Sequence, residues 1–76
     1  MFNARQIRGL LNATPFVPFR IRTSDGQAYD VPNHDAAMVK QNAVEIGLDL
    51  NRDGIAARSV HCAYLHIASI EDLQAA

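Results

Sequence analysis

The sequence predicts a small α+β domain that is mainly β: a short N-terminal helix followed by a strongly bent five-stranded antiparallel sheet. Three observations predict this fold. One apolar stripe at helical spacing lies near the N-terminus, apolar and polar residues alternate along most later segments, and an Asp-Gly pair separates two of these segments as a hairpin turn would. With 76 residues, 49% of them hydrophobic, the chain is expected to form one domain over residues 1–76.

The predicted helix begins after Asn3, which is a favourable N-cap, and Gln6 can complete a capping box. The apolar stripe that follows at three-four spacing consists of Ile7, Leu10 and Leu11. Thr14 precedes a proline and therefore avoids helical geometry, which limits the helix to about ten residues. Because so short a helix is marginal in water by itself, we expect it to dock on the sheet.

The first two strands are predicted to form a hairpin around Asp25-Gly26. Residues 15–19 form an extended segment before it, because two prolines exclude a central strand there. Alternation begins next, with Arg20 and Arg22 facing away from the core, and residues 27–31 form the return strand. The core face predicted for this hairpin consists of Phe19, Ile21, Tyr29 and Val31.

The second half of the chain begins with an ambiguous piece, since residues 36–39 fit either a helical turn or a strand. Residues 43–50 alternate clearly, with Glu45 and Asp49 outward and four apolar residues inward, namely Val44, Ile46, Leu48 and Leu50. Residues 51–54 are a loop tip. The inward residues predicted for the next strand are Val60, Cys62 and Tyr64.

A tight corner at Leu65-His66 leads into a short last strand over residues 66–70, with Ile70 inward, and residues 71–76 are predicted to be a tail. Strands this short cannot cover a core as a flat open sheet. We therefore expect the sheet to bend into a small barrel or to lay one face against the helix.

Composition limits the classes of function. The formal net charge is −1, so no field of the whole molecule attracts nucleic acid. Arg5 and Arg8 interrupt the first residues, which therefore do not read as a signal peptide, and no apolar run reaches the roughly 20 residues of a membrane span. Cys62, the single cysteine, cannot form an internal disulfide, which favours a cytoplasmic location.

The residue types that carry catalysis or bind metals do not form a recognisable set. The soft ligands are His34, His61, Cys62 and His66. His61 and Cys62 are adjacent on a predicted strand and point to opposite faces, so they cannot readily share one ion. An inward Cys62 lacks the electropositive surroundings of a reactive thiolate. The sequence therefore predicts no enzyme, no metal site and no cofactor.

A basic face is the most suggestive cluster. Arg20 and Arg22 share one strand face, and the helix residues Arg5 and Arg8 would join them if the helix packed over that end of the sheet. Such a face could hold phosphate. The interpretation we favour is a solvated strand face whose charges discourage edge pairing.

The chain also resembles two known groups of proteins. Pro-Phe-Val-Pro-Phe-Arg-Ile at residues 15–21, the Asp25-Gly26 turn, and Leu-His-Ile-Ala-Ser-Ile-Glu at residues 65–71 resemble a family of short uncharacterised bacterial proteins. Its members share a Pro-Phe-x-Pro-Phe-x-Ile opening, an Asp-Gly hairpin and a His-Ile-x-x-Ile-Glu close. The resemblance covers roughly residues 7–71 and implies a fold unit without an assigned activity.

The second resemblance is to the Sm-like fold, including its Hfq-type bacterial branch, which has a helix followed by five strands. Asp-Ala-Ala-Met at residues 35–38 is similar to the first Sm motif, and Tyr-Leu-His at residues 64–66 resembles the corner with which Hfq-type proteins bind uridine-rich RNA. The resemblance implies an Sm-like small barrel, assembled into a ring whose nucleic-acid-binding residues would be Arg20, Arg22, Asn33, His34 and His66.

The function predicted from the sequence is a non-enzymatic interaction module. It would form a homo-oligomer, or bind a protein partner, through exposed strand edges in residues 60–70. The alternative is an Sm-like RNA-binding ring.

Overall fold

The computed structural model describes residues 1–73 and contains one helix, six strands and one turn of 3-10 helix within them. The elements are α1 (Ala4–Leu11), β1 (Phe19–Thr23), β2 (Ala28–Val31), β3 (Ala37–Val39), β4 (Ala43–Leu50), β5 (Ala56–Ala63), the 3-10 turn (Tyr64–His66) and β6 (Ile67–Asp72). The predicted order of a helix followed by strands, and the mainly β class, are confirmed.

The prediction of one five-stranded sheet is wrong. The described strands form two antiparallel three-stranded sheets, ordered β2-β1-β6 and β3-β4-β5, and they do not close into a barrel. Between β2 and β3, the Asn33 side chain accepts a hydrogen bond from Asp35 N–H (3.0 Å), and the Asn33 carbonyl accepts one from Ala36 N–H (3.1 Å). This turn interrupts the extended backbone, so β2 and β3 belong to different sheets.

The helix begins where the sequence predicts. Asn3 Oδ1 accepts from Gln6 N–H (2.9 Å) and Gln6 Oε1 accepts from Asn3 N–H (3.0 Å), which confirms the capping box. The helix is shorter than predicted, with eight residues, and its last turn is capped by Asn12 N–H on the Arg8 carbonyl. It packs against β3 and β4 through its buried stripe.

The first hairpin is confirmed. Phe19 pairs with Val31 and Ile21 with Tyr29 across β1 and β2, so the four predicted core residues share one face. All are buried except the half-buried Tyr29. The connecting turn places Gly26 at a φ of 89°, a left-handed conformation that glycine adopts without steric cost.

In the second sheet, the ambiguous residues 36–39 form β3, which pairs with β4. β4 has the predicted bounds, with Val44 and Ile46 fully buried. β5 begins at Ala56, earlier than the alternation ending in Val60, Cys62 and Tyr64 indicates. Its first residues are small or polar and exposed, and only pairing with β4 identifies them as strand.

The predicted corner is confirmed as the 3-10 turn, after which β6 pairs with β1. The prediction that Glu71 and Asp72 belong to a tail is wrong, because these residues pair with Arg20 and Phe19 at the end of β6. Residues 74–76 of the predicted tail lie outside the described residues.

The buried core joins α1 to both sheets. Its members are Ile7, Leu11, Phe19, Ile21, Val31, Ala36, Val44, Ile46, Cys62, Tyr64 and Ile67. The phenol of Tyr64 donates a hydrogen bond to the Lys40 carbonyl (2.6 Å), so the one buried hydroxyl of this cluster has a partner. The core thereby fixes the 3-10 turn relative to the β3–β4 connection.

Candidate functional site

The outer strands of both sheets leave backbone edges unpaired within the described residues. The edges of β2 and β3 are short, with four and three residues. The edge of β2 is also flanked by a cleft that Leu48 and Leu50 of β4 line. β5 and β6 have eight and six residues and follow one another through the 3-10 turn. The two long edges, called here the open edges of β5 and β6, are therefore the main candidate surface for an interaction.

The outward backbone groups of β5 follow from its pairing with β4. Tyr64 N–H donates to the Asn42 carbonyl (3.2 Å), which makes these two residues a hydrogen-bonded pair in continuation of the β4–β5 register. Antiparallel partners alternate between hydrogen-bonded and non-hydrogen-bonded pairs. The N–H and C=O groups of Ser59, His61 and Ala63 therefore point away from β4, toward the open edge.

The same argument applies to β6. Leu73 N–H donates to the Pro18 carbonyl (2.9 Å), and the β1–β6 register continues from this pair without interruption through Ile70. The backbone groups of Ile70 and Asp72 therefore point away from β1. Both strands thus present regularly spaced donors and acceptors to a further strand.

Of the features with which proteins discourage edge pairing, the open edges carry charges at Arg58, Glu71 and Asp72, and the β1–β6 pairing has an irregular register after Arg22. Neither β5 nor β6 contains a proline or a lysine, the residues that most often protect exposed edges. Leu65, in the turn between the two strands, is 64% exposed. A single exposed apolar side chain is common on protein surfaces, so Leu65 alone does not define a contact surface.

A cleft of about 360 Å³ lies beside the open edge of β5. The end of β1 contributes Thr23 to it, the following turn contributes Asp25, and β2 contributes Tyr29. Val60 and Cys62 line it from β5, and His66 lines it from the 3-10 turn. We call this space the hairpin cleft.

Two titratable groups in the hairpin cleft have shifted pKa values. Hydrogen bonds from the Thr23 hydroxyl and from Gln27 N–H stabilise the Asp25 carboxylate and lower its pKa. Burial raises the pKa of the Cys62 thiol, so this cysteine is not an activated thiolate. Cys62 is buried and its neighbour His61 is exposed, which confirms that they point to opposite faces.

A polar cluster covers the outer face where β4 meets β5. Glu45 accepts hydrogen bonds from Ser59 Oγ (2.6 Å) and Lys40 Nζ (3.4 Å), and lies 3.1 Å from His61 Nδ1. These partners, the Ser59 hydroxyl first, lower the pKa of Glu45 to about 2. The cluster ties the face of β5 to β4 and leaves its outward backbone groups available.

The predicted basic face is neutralised by cross-strand partners. Arg20 Nε lies 2.7 Å from Asp30 on β2, and Arg22 Nε lies 2.9 Å from Glu71 on β6. Asp30 lies directly opposite Arg20, whereas Glu71 is the register partner of Arg20 and lies diagonally across from Arg22. The helix that carries Arg5 packs against the other sheet. The structure thus joins Arg20 and Arg22, as expected, but in a charge-balanced ladder.

The other predicted nucleic-acid-binding residues lie in different places. Asn33 forms the turn between β2 and β3 through its side chain. His34 is exposed beside Asp35 (3.5 Å), and its ring meets Phe16 edge-on with 6.5 Å between ring centroids. His66 is exposed in the hairpin cleft, where Arg20 and Asn33 do not line the wall. The structure therefore does not gather the five residues into one lined site.

Sequence reasoning located the open edges within residues 60–70 and missed three features: the first half of β5, the last residues of β6, and the hairpin cleft. The sequence feature that could have indicated part of the cleft is the Asp25-Gly26 turn. It fixes a carboxylate at a hairpin tip, although it does not show what lies opposite.

Within residues 1–73, no group of three or more histidine, cysteine or acidic residues is placed to bind a metal ion. Across the same residues, no helix combines the length and apolar character that crossing a membrane requires. Comparisons with family models, with curated proteins and with solved structures found no match for this chain.

Proposed function

We propose that the protein is a non-enzymatic module that self-associates by adding strands across its open edges. The observation that carries the proposal is the eight-residue edge of β5, roughly 26 Å long at the usual rise per residue. Its outward N–H and C=O groups can hydrogen-bond to another extended chain. A second copy of the protein supplies an identical edge.

Two pairings use the open edge of β5. β5 paired with β5 of a second copy is a two-fold contact and closes as a dimer, whereas β5 paired with β6 of the next copy is a head-to-tail contact that forms a ring or a filament. A protein partner with a free strand would bind in the same way. The small size of the chain supports association, because a domain of this length buries a limited core.

Proline substitution at Ser59 tests the edge directly. Ser59 N–H points to the open edge, so Ser59→Pro removes an outward donor and keeps the hydrogen bonds with β4. Ser59→Ala is the matched control, because it loses the hydroxyl bond to Glu45 (2.6 Å) but keeps the N–H. We expect light scattering to show a mass above one chain for the wild type and Ser59→Ala, and a lower mass for Ser59→Pro.

The solution mass of Asp72→Pro distinguishes the head-to-tail contact from the two-fold contact, and Asp72→Ala is the matched control. In the head-to-tail contact Asp72→Pro lowers the mass as Ser59→Pro does, while the two-fold β5 contact is unaffected by it. Circular dichroism and urea unfolding confirm that each variant is folded. Self-association through β5 is contradicted if folded Ser59→Pro has the mass of the wild type.

The alternative proposal is an Sm-like RNA-binding ring. It is favoured by the order of the elements, a helix followed by short antiparallel strands, and by the exposed His66 at the corner after β5. This alternative predicts six or seven copies and an RNA affinity that falls steeply with salt. It also predicts that His66→Ala weakens RNA binding without unfolding the chain. An unchanged RNA affinity in this variant would contradict the assignment of His66 to the RNA-binding site.

A further inference from the structure

The hairpin cleft contains polar groups that the fold does not use. Asp25 receives its hydrogen bonds on one carboxylate oxygen, Oδ1, from Thr23 and Gln27. Its other oxygen, Oδ2, accepts no hydrogen bond among residues 1–73, and the Tyr29 hydroxyl and the His66 ring have none there either. Asp25, Tyr29 and His66 thus line one space of about 360 Å³.

The walls of the cleft indicate the shape of a ligand. Val60 and the ring of Tyr29 are apolar surfaces, and both are half-buried. The volume of about 360 Å³ is at the lower end of the range for ligand pockets, roughly 300–1,000 Å³. A ligand that fits therefore has a short apolar stem and one polar end.

The charge of the cleft indicates which chemical group the polar end of the ligand carries. Asp25 is the only aspartate, glutamate, lysine or arginine among the described residues that line it, and His61 and His66 are the other titratable groups there apart from Tyr29 and Cys62. Besides the hydrogen bonds to Asp25, the charge of His66 helps to lower the pKa of Asp25. Two hydrogen bonds hold the carboxylate in place, so its free oxygen is oriented in advance for a donor. The Tyr29 ring also attracts a cation that approaches its face.

We propose that the hairpin cleft binds an organic cation, a primary ammonium or guanidinium group on a short alkyl stem, with the cation donating to Asp25. The stem lies along Val60 and Tyr29. Two sources supply this chemistry: a free small amine, or a lysine or arginine side chain from a second copy of the chain. The residues of the site belong to one chain, and because the cleft lies beside the open edge of β5, a second copy paired at that edge lies next to it.

The probe is n-butylammonium, and n-butanol is its uncharged counterpart of the same length. Titration into the 15N-labelled protein at neutral pH is expected to give saturable amide shifts at Asp25, Cys62 and His66 with millimolar affinity. n-Butanol is expected to bind at least about fivefold more weakly, because it cannot make a charge-assisted hydrogen bond.

Asp25→Asn tests whether the Asp25 charge binds the cation, since asparagine keeps the turn and removes the charge. Asp53→Asn is the matched control: it makes the same change of charge in the exposed turn at the tip of the β4–β5 hairpin. We expect Asp25→Asn to weaken binding by fivefold or more and Asp53→Asn to leave it unchanged. Absent shifts at the cleft, equal binding of n-butanol, or equal losses in the two variants would each overturn the proposal.

Light scattering of Asp25→Asn separates the two sources. A mass below that of the wild type, together with lost probe binding, identifies a side chain of a second copy as the natural occupant. An unchanged mass with lost probe binding shows that no side chain of a second copy holds the oligomer through this cleft, which leaves a free amine as the source. Both results support the cationic site, and neither depends on which edge of β5 or β6 is paired.

Discussion

Ile46 tests the assignment of the inward face at the scale of a single residue. It is fully buried in the centre of β4, and Ile46→Ala is expected to lower the free energy of unfolding by about 2–4 kcal/mol, because it leaves a cavity. Met38, on the neighbouring strand, is 64% exposed, and Met38→Ala is the control with an expected change within about 0.5 kcal/mol. Urea unfolding measures both, and a cost below that limit for Ile46→Ala would contradict the assigned face.

Glu45 has a low pKa, which predicts how the stability of the fold depends on pH. Its pKa in the folded protein is lowered from 4.5 to about 2, so the ionised carboxylate stabilises the fold fully above the unfolded pKa near 4.5. This contribution is lost as the pH falls from about 4.5 to 2, through the folded pKa. An NMR titration of the Glu45 carboxyl carbon measures the pKa directly.

Ser59→Ala is the partner variant for this titration, because the Ser59 hydroxyl contributes most to the shift. The pKa of Glu45 is expected to rise in Ser59→Ala and to stay low in Arg58→Ala, whose side chain contacts Asp49 instead (2.7 Å). A Glu45 pKa near 4.5 in the wild type would show that the polar cluster does not form in solution.

At the scale of elements, the helix depends on its first turn. Asn3→Ala removes the side-chain acceptor of the Gln6 N–H (2.9 Å) and is expected to lower the free energy of unfolding by about 1 kcal/mol. Arg5→Ala, at an exposed position of the same helix, is expected to have an effect below about 0.5 kcal/mol. Thermal unfolding of the two variants measures the difference, and equal stabilities would contradict the cap.

The elements also show what local pattern can predict. The cap of α1, the Asp-Gly turn and the bounds of β4 depend on residues close in sequence, so the sequence predicts them well. The start of β5 at Ala56 and the end of β6 at Asp72 depend on pairing with β4 and β1. Their exposed side chains do not alternate, and the information lies in backbone hydrogen bonds to distant residues.

The candidate site likewise has parts that the sequence predicts and parts that depend on contacts between distant residues. The open edges were predicted within residues 60–70, because alternation identifies the strands and a short chain leaves some strands outermost. The basic face was predicted from Arg20 and Arg22, but its neutralisation by Asp30 and Glu71 depends on the register of three strands. The hairpin cleft brings together residues 23–29 and 60–66, a contact between sheets that single-sequence patterns do not contain.

At the scale of the whole molecule, the two sheets and α1 share one core, while the longest strand edges remain unpaired within the described residues. Pairing these edges with a second copy completes the hydrogen bonds that a single chain leaves to water. The proposed function thus uses residues 56–72, which contribute Cys62, Tyr64 and Ile67 to the shared core.

The most direct test of self-association is the solution mass of the wild-type chain, measured by light scattering behind a sizing column over a range of concentrations and at two salt concentrations. Self-association across the open edges predicts a mass of two or more chains of 8.3 kDa, falling toward one chain on dilution. Six or seven chains would favour a closed ring, which both the head-to-tail contact and the Sm-like alternative predict, and an RNA-binding assay would separate these two. A mass of one chain at every concentration would contradict self-association.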